Sequence, residues 1–238
     1  MFPRAFRSWP GMLVFMNIQS YAWTGLAIVS FSAGASAEPV LNSQAADGGF
    51  EGWAVYQEKS SGKTGDAWFL GDDGVLICRG QELGYLHTEK SYTNFTLSFE
   101  WRWPPGGEAG KGGILLRTVG KHKVWPKSLE VQLNAGDAGD FWAIDGYKLT
   151  GAPERTEKLA HKQFGDLIHV TKLHAVERPV GEWNRGTVTM KDGKVTVRMN
   201  GKLVNEATGC DMKPGKILLT AEGTPIQFRK LDLTEAPE

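Results

Sequence analysis

"GTVTMKDGKVTVRMNGKLVNEA", residues 186–207, contains two pairs, Asp192-Gly193 and Asn200-Gly201, of the kind that close two-residue β-hairpins, because both central positions of such a turn need a positive φ angle. If Lys191 faces Lys194 across the first turn, Met190 faces Val195 and Val188 faces Val197, so four apolar side chains share one side. Around the second turn Val197 is expected to face Val204, carrying the stripe onto a third strand. A slip of one residue would turn the whole stripe into water. The stretch therefore predicts an antiparallel meander with one buried face.

The same texture extends in both directions. Short segments rich in Val, Ile, Thr, Trp and Phe recur between Gly, Asn, Asp and Pro, among them "FTLSFEWRW" (95–103), "GILLRTV" (113–119), "SLEVQL" (128–133), "LIHVTKLHAV" (167–176), "KILLTA" (216–221) and "IQFRKLDL" (226–233). Many short strands at this spacing, with little helical periodicity, predict an all-β chain folded as a β-sandwich or jelly roll. One domain is expected over residues 50–234, after a lead-in at 38–49. The one helix candidate is "APERTEKLAHKQFG" (152–165), with Pro153 near its start and Gly165 at its end.

Residues 1–37 read differently. Arg4 and Arg7 precede an apolar stretch, "GLAIVSFSAGASA" (25–37), that ends in the small-residue site Ala35-Ser36-Ala37. This is the pattern of a secretory signal cleaved after Ala37. The apolar run is short for a membrane span and is broken by Ser and Gly. The expected product is exported, periplasmic or extracellular, with no membrane span after cleavage. The chain balances 27 basic against 27 acidic residues, and without Arg4 and Arg7 the remainder holds 25 against 27. Neither a nucleic-acid partner nor a polybasic membrane patch is expected from that balance. Cys78 and Cys210 are the only cysteines. In an oxidising compartment they could form one bridge closing a long loop; the alternative is two separate thiols, Cys78 in the apolar "GVLIC" (74–78) and Cys210 in a turn.

Several familiar chemistries are not encoded. The chain has no G-x-S-x-G elbow, phosphate loop or dinucleotide fingerprint, and its five histidines lack H-x-H or H-E-x-x-H spacing. What stands out is "KSLEVQLNAGD" (127–137), where Leu129, Val131 and Leu133 alternate with Glu130, Gln132 and Asn134. Alternation alone describes any half-wetted strand. If the strand "GILLR" pairs with it, Arg117 joins Glu130 and Gln132 on one polar face. In a concave site that set could position a base and fix a sugar hydroxyl; on an open face it is an ordinary cross-strand pair. Asp137, Asp140 and Asp145 in the Gly-rich "NAGDAGDFWAIDG" (134–146) are candidates for oxygen ligation of a cation, without EF-hand spacing. His122, in the basic loop "GKHKVWPK" (120–127), is a candidate for a site rim. Of the seven tryptophans after Ala37, most are expected in the core, while Trp125 and Trp142 sit in loop contexts suited to stacking on sugars.

Taken together and in order, "GW" (52–53), "GVLICRG" (74–80), "LHTEKSYTNFTLSFEWRW" (86–103), "GILLR" (113–117), "LEVQL" (129–133), "GEWN" (181–184), "MNGKLV" (199–204) and "GKILLTAEGTPIQFRKLDL" (215–233) resemble the 3-keto-disaccharide hydrolase family. The resemblance implies an exported jelly-roll domain of the concanavalin A-like lectin/glucanase type. It implies Arg117, Glu130 and Gln132 as the polar residues of a concave site, with Trp183 and Asn184 in a structural role. "GKGG" (110–113) stands where many members read N-S-G, so contacts from that Asn and Ser are missing here. The chemistry implied is proton abstraction beside a ketone at carbon 3, elimination of the glycosidic oxygen and addition of water. Glu130 is then the expected base or metal ligand and Arg117 its electrostatic support. Gln132, Asn134, His122, Trp125 and Trp142 are expected to contact an oligosaccharide or glycoside. A divalent cation, with Asp137 and Asp140 as candidate ligands, is an optional enolate stabiliser. The alternatives are a non-catalytic carbohydrate-binding module and a structural module of an exported assembly.

Overall fold

The computed structural model describes residues 38–39, 49–59 and 67–236; the expected signal segment lies outside the described residues. Among these described residues sixteen strands follow in chain order. They are β1 (Glu38–Pro39), β2 (Trp53–Gln57), β3 (Trp68–Leu70), β4 (Leu76–Cys78), β5 (Gly84–Thr88), β6 (Phe95–Arg102), β7 (Gly113–Val119) and β8 (Lys127–Gln132). There follow β9 (Phe141–Ile144), β10 (Thr156–His161), β11 (Gly165–Val170), β12 (Asn184–Lys191), β13 (Lys194–Met199), β14 (Lys202–Ala207), β15 (Lys216–Ala221) and β16 (Ile226–Glu235). They form two antiparallel sheets. The back sheet runs β14-β13-β12-β6-β16-β4-β3 with β1 on β16, and the front sheet runs β10-β11-β9-β8-β7-β15-β5-β2. The chain is an all-β jelly-roll sandwich.

The meander forms as the hairpin pairs require. Lys191 faces Lys194, Met190 faces Val195 and Val188 faces Val197, with Asp192, Gly193, Asn200 and Gly201 all at positive φ. The second hairpin departs from simple pairing. A bulge after Val197 sets it opposite Asn205 instead of Val204. Both residues are still buried. Asn205 uses its side chain to tie the back sheet to the front one, its Nδ2 donating to the carbonyls of Gly139 (3.0 Å) and Val170 (2.9 Å).

Between the sheets lies one apolar core that includes Trp53, Trp68, Trp101 and Trp103 together with Leu129, Val131 and Leu133. Cys78 and Cys210 are separate buried thiols. Burial pushes them up to about 12 and about 11 respectively, so neither is a thiolate at neutral pH. The lead-in also takes part in the sheet, since Glu38 and Pro39 pair with Leu233 and Asp232 of β16; an edge position is where proline is tolerated. Among the described residues no helix is long and apolar enough to cross a membrane.

The expected helix at 152–165 is not there. Pro153–Arg155 makes a single 3₁₀ turn, after which β10 and β11 pair from Thr156↔Val170 to His161↔Gly165. Gly165, read from sequence as a helix end, is instead a hairpin residue at φ 72°. No residue of β10 is buried, so the segment lacks the apolar stripe that would hold a helix against the sandwich.

Candidate active site

The alternation of β8 becomes two environments. Leu129, Val131 and Leu133 enter the core, while Glu130, Gln132 and Asn134 line a cleft of about 710 Å³ on the front sheet. A ladder of partners crosses the floor, from Leu115 on β7 to Glu130 to Trp142 on β9 to His169 on β11. Glu130 is only 5 % exposed. Its carboxyl has room because Gly113 stands beside it, where a Cβ would come within 2.4 Å of Oε1. Gly113→Ala is therefore expected to displace the carboxyl and cut turnover sharply with little loss of stability, as an assay beside a melting curve would record.

A second carboxylate shares the cleft. Glu222, just past β15, lines it together with Lys111. Burial pushes the Glu130 carboxyl well above the usual carboxylate range, and the Glu222 charge pushes it further. Burial raises Glu222 as well, but there the Thr220 hydroxyl, donating to Oε1 at 2.7 Å, and the Lys111 ammonium work in the opposite direction. Glu130 has no such offset among the described residues. Of the pair, Glu222 ionises first and Glu130 holds its proton. Thr220 is itself fixed by the Gly113 amide, which donates to its Oγ1 at 2.6 Å.

The rest of the lining divides into polar and aromatic parts. Trp142 donates from Nε1 to Gln132 Oε1 at 3.3 Å and stacks on the His169 ring at 4.1 Å and 11°. Asn134 Oδ1 accepts from the Gly112 amide at 2.9 Å, bracing the loop before β7. Trp125, at φ 54°, meets Phe164 edge to face at 5.3 Å. Leu159, His161 and Phe164, from the segment expected to be a helix, complete this wall with Leu167 of β11.

Three expectations need correction. Arg117 does not share the face of Glu130. A bulge between Leu116 and Val119 puts Arg117 at φ 46° and turns its side chain out of the alternation. The guanidinium is buried elsewhere, donating from Nε to Thr93 O (2.7 Å), from Nη1 to Asp211 O (2.7 Å) and from Nη2 to Asn94 Oδ1 (3.3 Å). It is a structural pin, and Lys111 is the cation that lines the cleft. His122 lies in a separate depression of the same sheet, its Nδ1 2.8 Å from the Tyr85 hydroxyl.

The candidate cation ligands have other partners. Asp140 meets His169 Nε2 at 2.7 Å, the Lys172 amide at 2.9 Å and Lys172 Nζ at 3.3 Å, while Asp137 meets the same ammonium at 3.4 Å. Both oxygens of Asp140 are taken by donors, and the Lys172 ammonium stands between it and the exposed Asp137, where it would repel a metal ion. Among the described residues no cluster of three or more His, Cys, Asp or Glu is arranged to hold one.

Glu222, Lys111 and Thr220 were not singled out from sequence. The signal was present in "KILLTAEG" (216–223), where Leu218, Thr220 and Glu222 alternate toward the front face as Glu130 and Gln132 do. Trp183 and Asn184 act structurally: the guanidinium groups of Arg102 (4.3 Å) and Arg229 (4.1 Å) each lie over the Trp183 ring, and Asn184 Oδ1 accepts from Arg178 N and Asn200 Nδ2.

Comparison with known proteins bears on the fold and the family. The sequence profile described as the 3-keto-alpha-glucoside-1,2-lyase-like domain matches residues 39–234. Among solved structures, a Parabacteroides distasonis protein provisionally described as a glycosyl hydrolase superposes with a TM-score of 0.55 at 17 % identity, over 79 % of this chain and 89 % of that one. The carbohydrate-binding module CBM66 of Bacillus subtilis gives 0.54 at 12 % identity, over 77 % and 96 %. The Bacillus licheniformis β-glucanase gives 0.51 at 10 %, over 87 % and 100 %. At these identities the likeness is one of fold. No curated protein matches the chain.

Proposed function

Because the chain belongs to the 3-keto-alpha-glucoside-1,2-lyase-like family, we propose that it cleaves glycosides oxidised to a ketone at carbon 3, by elimination and then hydration. The observation that carries this reading is the buried Glu130–Glu222 pair in the cleft, whose members differ in readiness to ionise. Glu222, as carboxylate, takes the proton from carbon 2, which the neighbouring ketone makes acidic. The electron pair passes to the ketone oxygen as an enolate, beside the Lys111 ammonium. As the enolate collapses, the bond from carbon 1 to the glycosidic oxygen breaks, and Glu130 protonates the leaving oxygen. Water then adds across carbons 1 and 2, its hydroxyl to carbon 1 and a proton to carbon 2, for a net hydrolysis. Gln132 and the Trp142 ring hold the sugar, and Trp125 with Phe164 closes the apolar side. Export to the periplasm or the extracellular space belongs to the same proposal and rests on the sequence of residues 1–37.

Two carboxyls in these roles predict a bell-shaped pH profile. Activity rises with pH as the more acidic member ionises and falls as the second one does, and the limbs belong to the pair jointly. Both limbs are expected above the ordinary carboxylate range because burial raises both groups. Thr220→Val removes the hydroxyl that favours the Glu222 carboxylate. It is expected to move the acidic limb upward, which a purely structural role would not do; kcat/KM measured across pH decides it.

The overall test sets 3-keto-disaccharides beside ordinary disaccharides and follows release of free sugar. Release from the keto substrates alone is expected. Binding of unoxidised glycans with no release from either set would make the chain a carbohydrate-binding module instead.

A further inference from the structure

The front sheet carries a second depression, about 250 Å³, whose lining includes Tyr85, His87, Thr118 and His122 together with Lys121, Lys213 and Lys216. It lies beside the carboxylate cleft on the same ladder of partners: His87 pairs with Leu218, Leu218 with Leu115, and Leu115 with Glu130. Three strand spacings put His87 roughly 14 Å from Glu130. A small apolar cluster of Tyr85, Leu115 and Leu218, with Tyr56 and Trp125 against it, forms the ground between them. At 250 Å³ the depression is below the roughly 300–1,000 Å³ of a site for a whole drug-sized ligand. It suits one sugar unit of a longer molecule.

Its charge is one-sided. No Asp or Glu lines it. Among the described residues the three lysines that line it, Lys121, Lys213 and Lys216, form no ion pair with a carboxylate. The nearby carboxylates stand outside the lining: Glu89 acts on His87 only through space, and Asp211 is held by Lys127 at 3.1 Å. Beneath the lysines are neutral polar groups able to meet hydroxyls. His87 is 4 % exposed and its Nδ1–H donates to Thr88 O at 3.0 Å, which leaves Nε2 as an acceptor. Thr118 Oγ1 is buried without a hydrogen-bond partner, a state that costs stability unless a ligand or water satisfies it.

We propose that this depression is a subsite for a sugar unit bearing one anionic substituent, a carboxylate or a sulfate ester, so that the substrates of the neighbouring cleft include acidic oligosaccharides. The inference rests on the reading of that cleft as a glycoside site. Unpaired ammonium groups supply the attraction, and His87, Tyr85 and Thr118 supply contacts for the sugar that carries the charge.

The test is a ligand-observed NMR titration of the full chain with glucuronic acid, glucose 6-sulfate, glucose and inorganic sulfate. Both acidic sugars are expected to bind about tenfold or more tightly than glucose and than inorganic sulfate, and the preference should shrink as salt screens the lysines. In the double variant Lys213→Gln/Lys216→Gln the preference should collapse, while cleavage of a neutral 3-keto-disaccharide stays unchanged. A preference for one acidic sugar over the other identifies the substituent and still supports the subsite. Equal affinity for glucose and the acidic sugars, a preference that survives loss of both lysines, or inorganic sulfate binding as tightly as glucose 6-sulfate would each overturn it. Failure to cleave any 3-keto-disaccharide, with the acidic preference intact, would sink the functional reading and leave the subsite standing.

Discussion

Glu130→Gln is expected to lower kcat for a 3-keto-disaccharide by about 10²–10⁴-fold, the usual contribution of a positioned acid or base, and at the same time to make the protein more stable. The two effects have one origin. Burial raises the Glu130 carboxyl well above its ordinary value, and the Glu222 charge raises it further. A carboxyl whose folded value is raised gives stability that is complete below the unfolded value and is lost as pH rises through the folded one. Above that window the native state carries a buried charge that no ion pair among the described residues offsets. Gln keeps the shape and never ionises, so its stability advantage should grow with pH. Unfolding curves at about pH 5 and about pH 8, run beside turnover assays, check both parts. A Glu130→Gln variant that loses stability, or one that keeps full activity, contradicts the assignment.

Arg117→Ala is expected to do the reverse, costing about 2–5 kcal/mol of stability, the scale for truncating a large buried side chain together with the hydrogen bonds it donates. Turnover per folded molecule should be unchanged. At 1 % exposure the guanidinium satisfies the carbonyls of Thr93 and Asp211 and the Asn94 amide oxygen from three different nitrogens. Truncation takes the Arg117 donor from the Thr93 carbonyl, leaves the Asp211 carbonyl and Asn94 Oδ1 with one donor each, Tyr147 Oη at 3.3 Å and Asp192 N at 3.1 Å, and opens a cavity in a well-packed region. Lysine should rescue only part of the loss, since a single ammonium on a flexible stem does not reproduce a rigid fork. Urea titration gives the stability, and active-site turnover normalised to folded protein gives the rest. A large fall in kcat with unchanged stability would return Arg117 to the site.

How far the sequence could be read depends on whether local chemistry or tertiary packing decides each element. The Asp192-Gly193 and Asn200-Gly201 turns and the stripe of Val188, Met190, Val195 and Val197 specify their own register, and the structure follows it. The alternation in β8 likewise separates Glu130 and Gln132 from the core-facing Leu129 and Val131. Arg117 shows the limit of that reasoning. Alternation places it on the front face, but one bulge at φ 46° redirects it, and no residue in "GILLRTV" announces a bulge. Val204 and Asn205 exchange places for the same reason. The expected helix at 152–165 is a hairpin instead because Pro153 and Gly165 are as compatible with helix ends as with a turn. With β10 unburied on every residue, no apolar period was available to choose between them. Glu222 was legible in principle, two residues beyond Thr220 on the same face. Its meeting with Glu130 is a product of sheet order, since β15 reaches β8 only through β7.

In the proposed reaction Glu222 removes the proton from carbon 2 of a 3-keto-glycoside. Cleavage run in D₂O reads that step directly, because elimination followed by hydration leaves solvent hydrogen at carbon 2 of the released 3-keto sugar. The native protein is expected to give product deuterated at carbon 2, above the exchange seen without protein, and Glu222→Gln to give neither product nor exchange. Product that retains its original hydrogen at carbon 2, or exchange that persists in Glu222→Gln, would contradict the account.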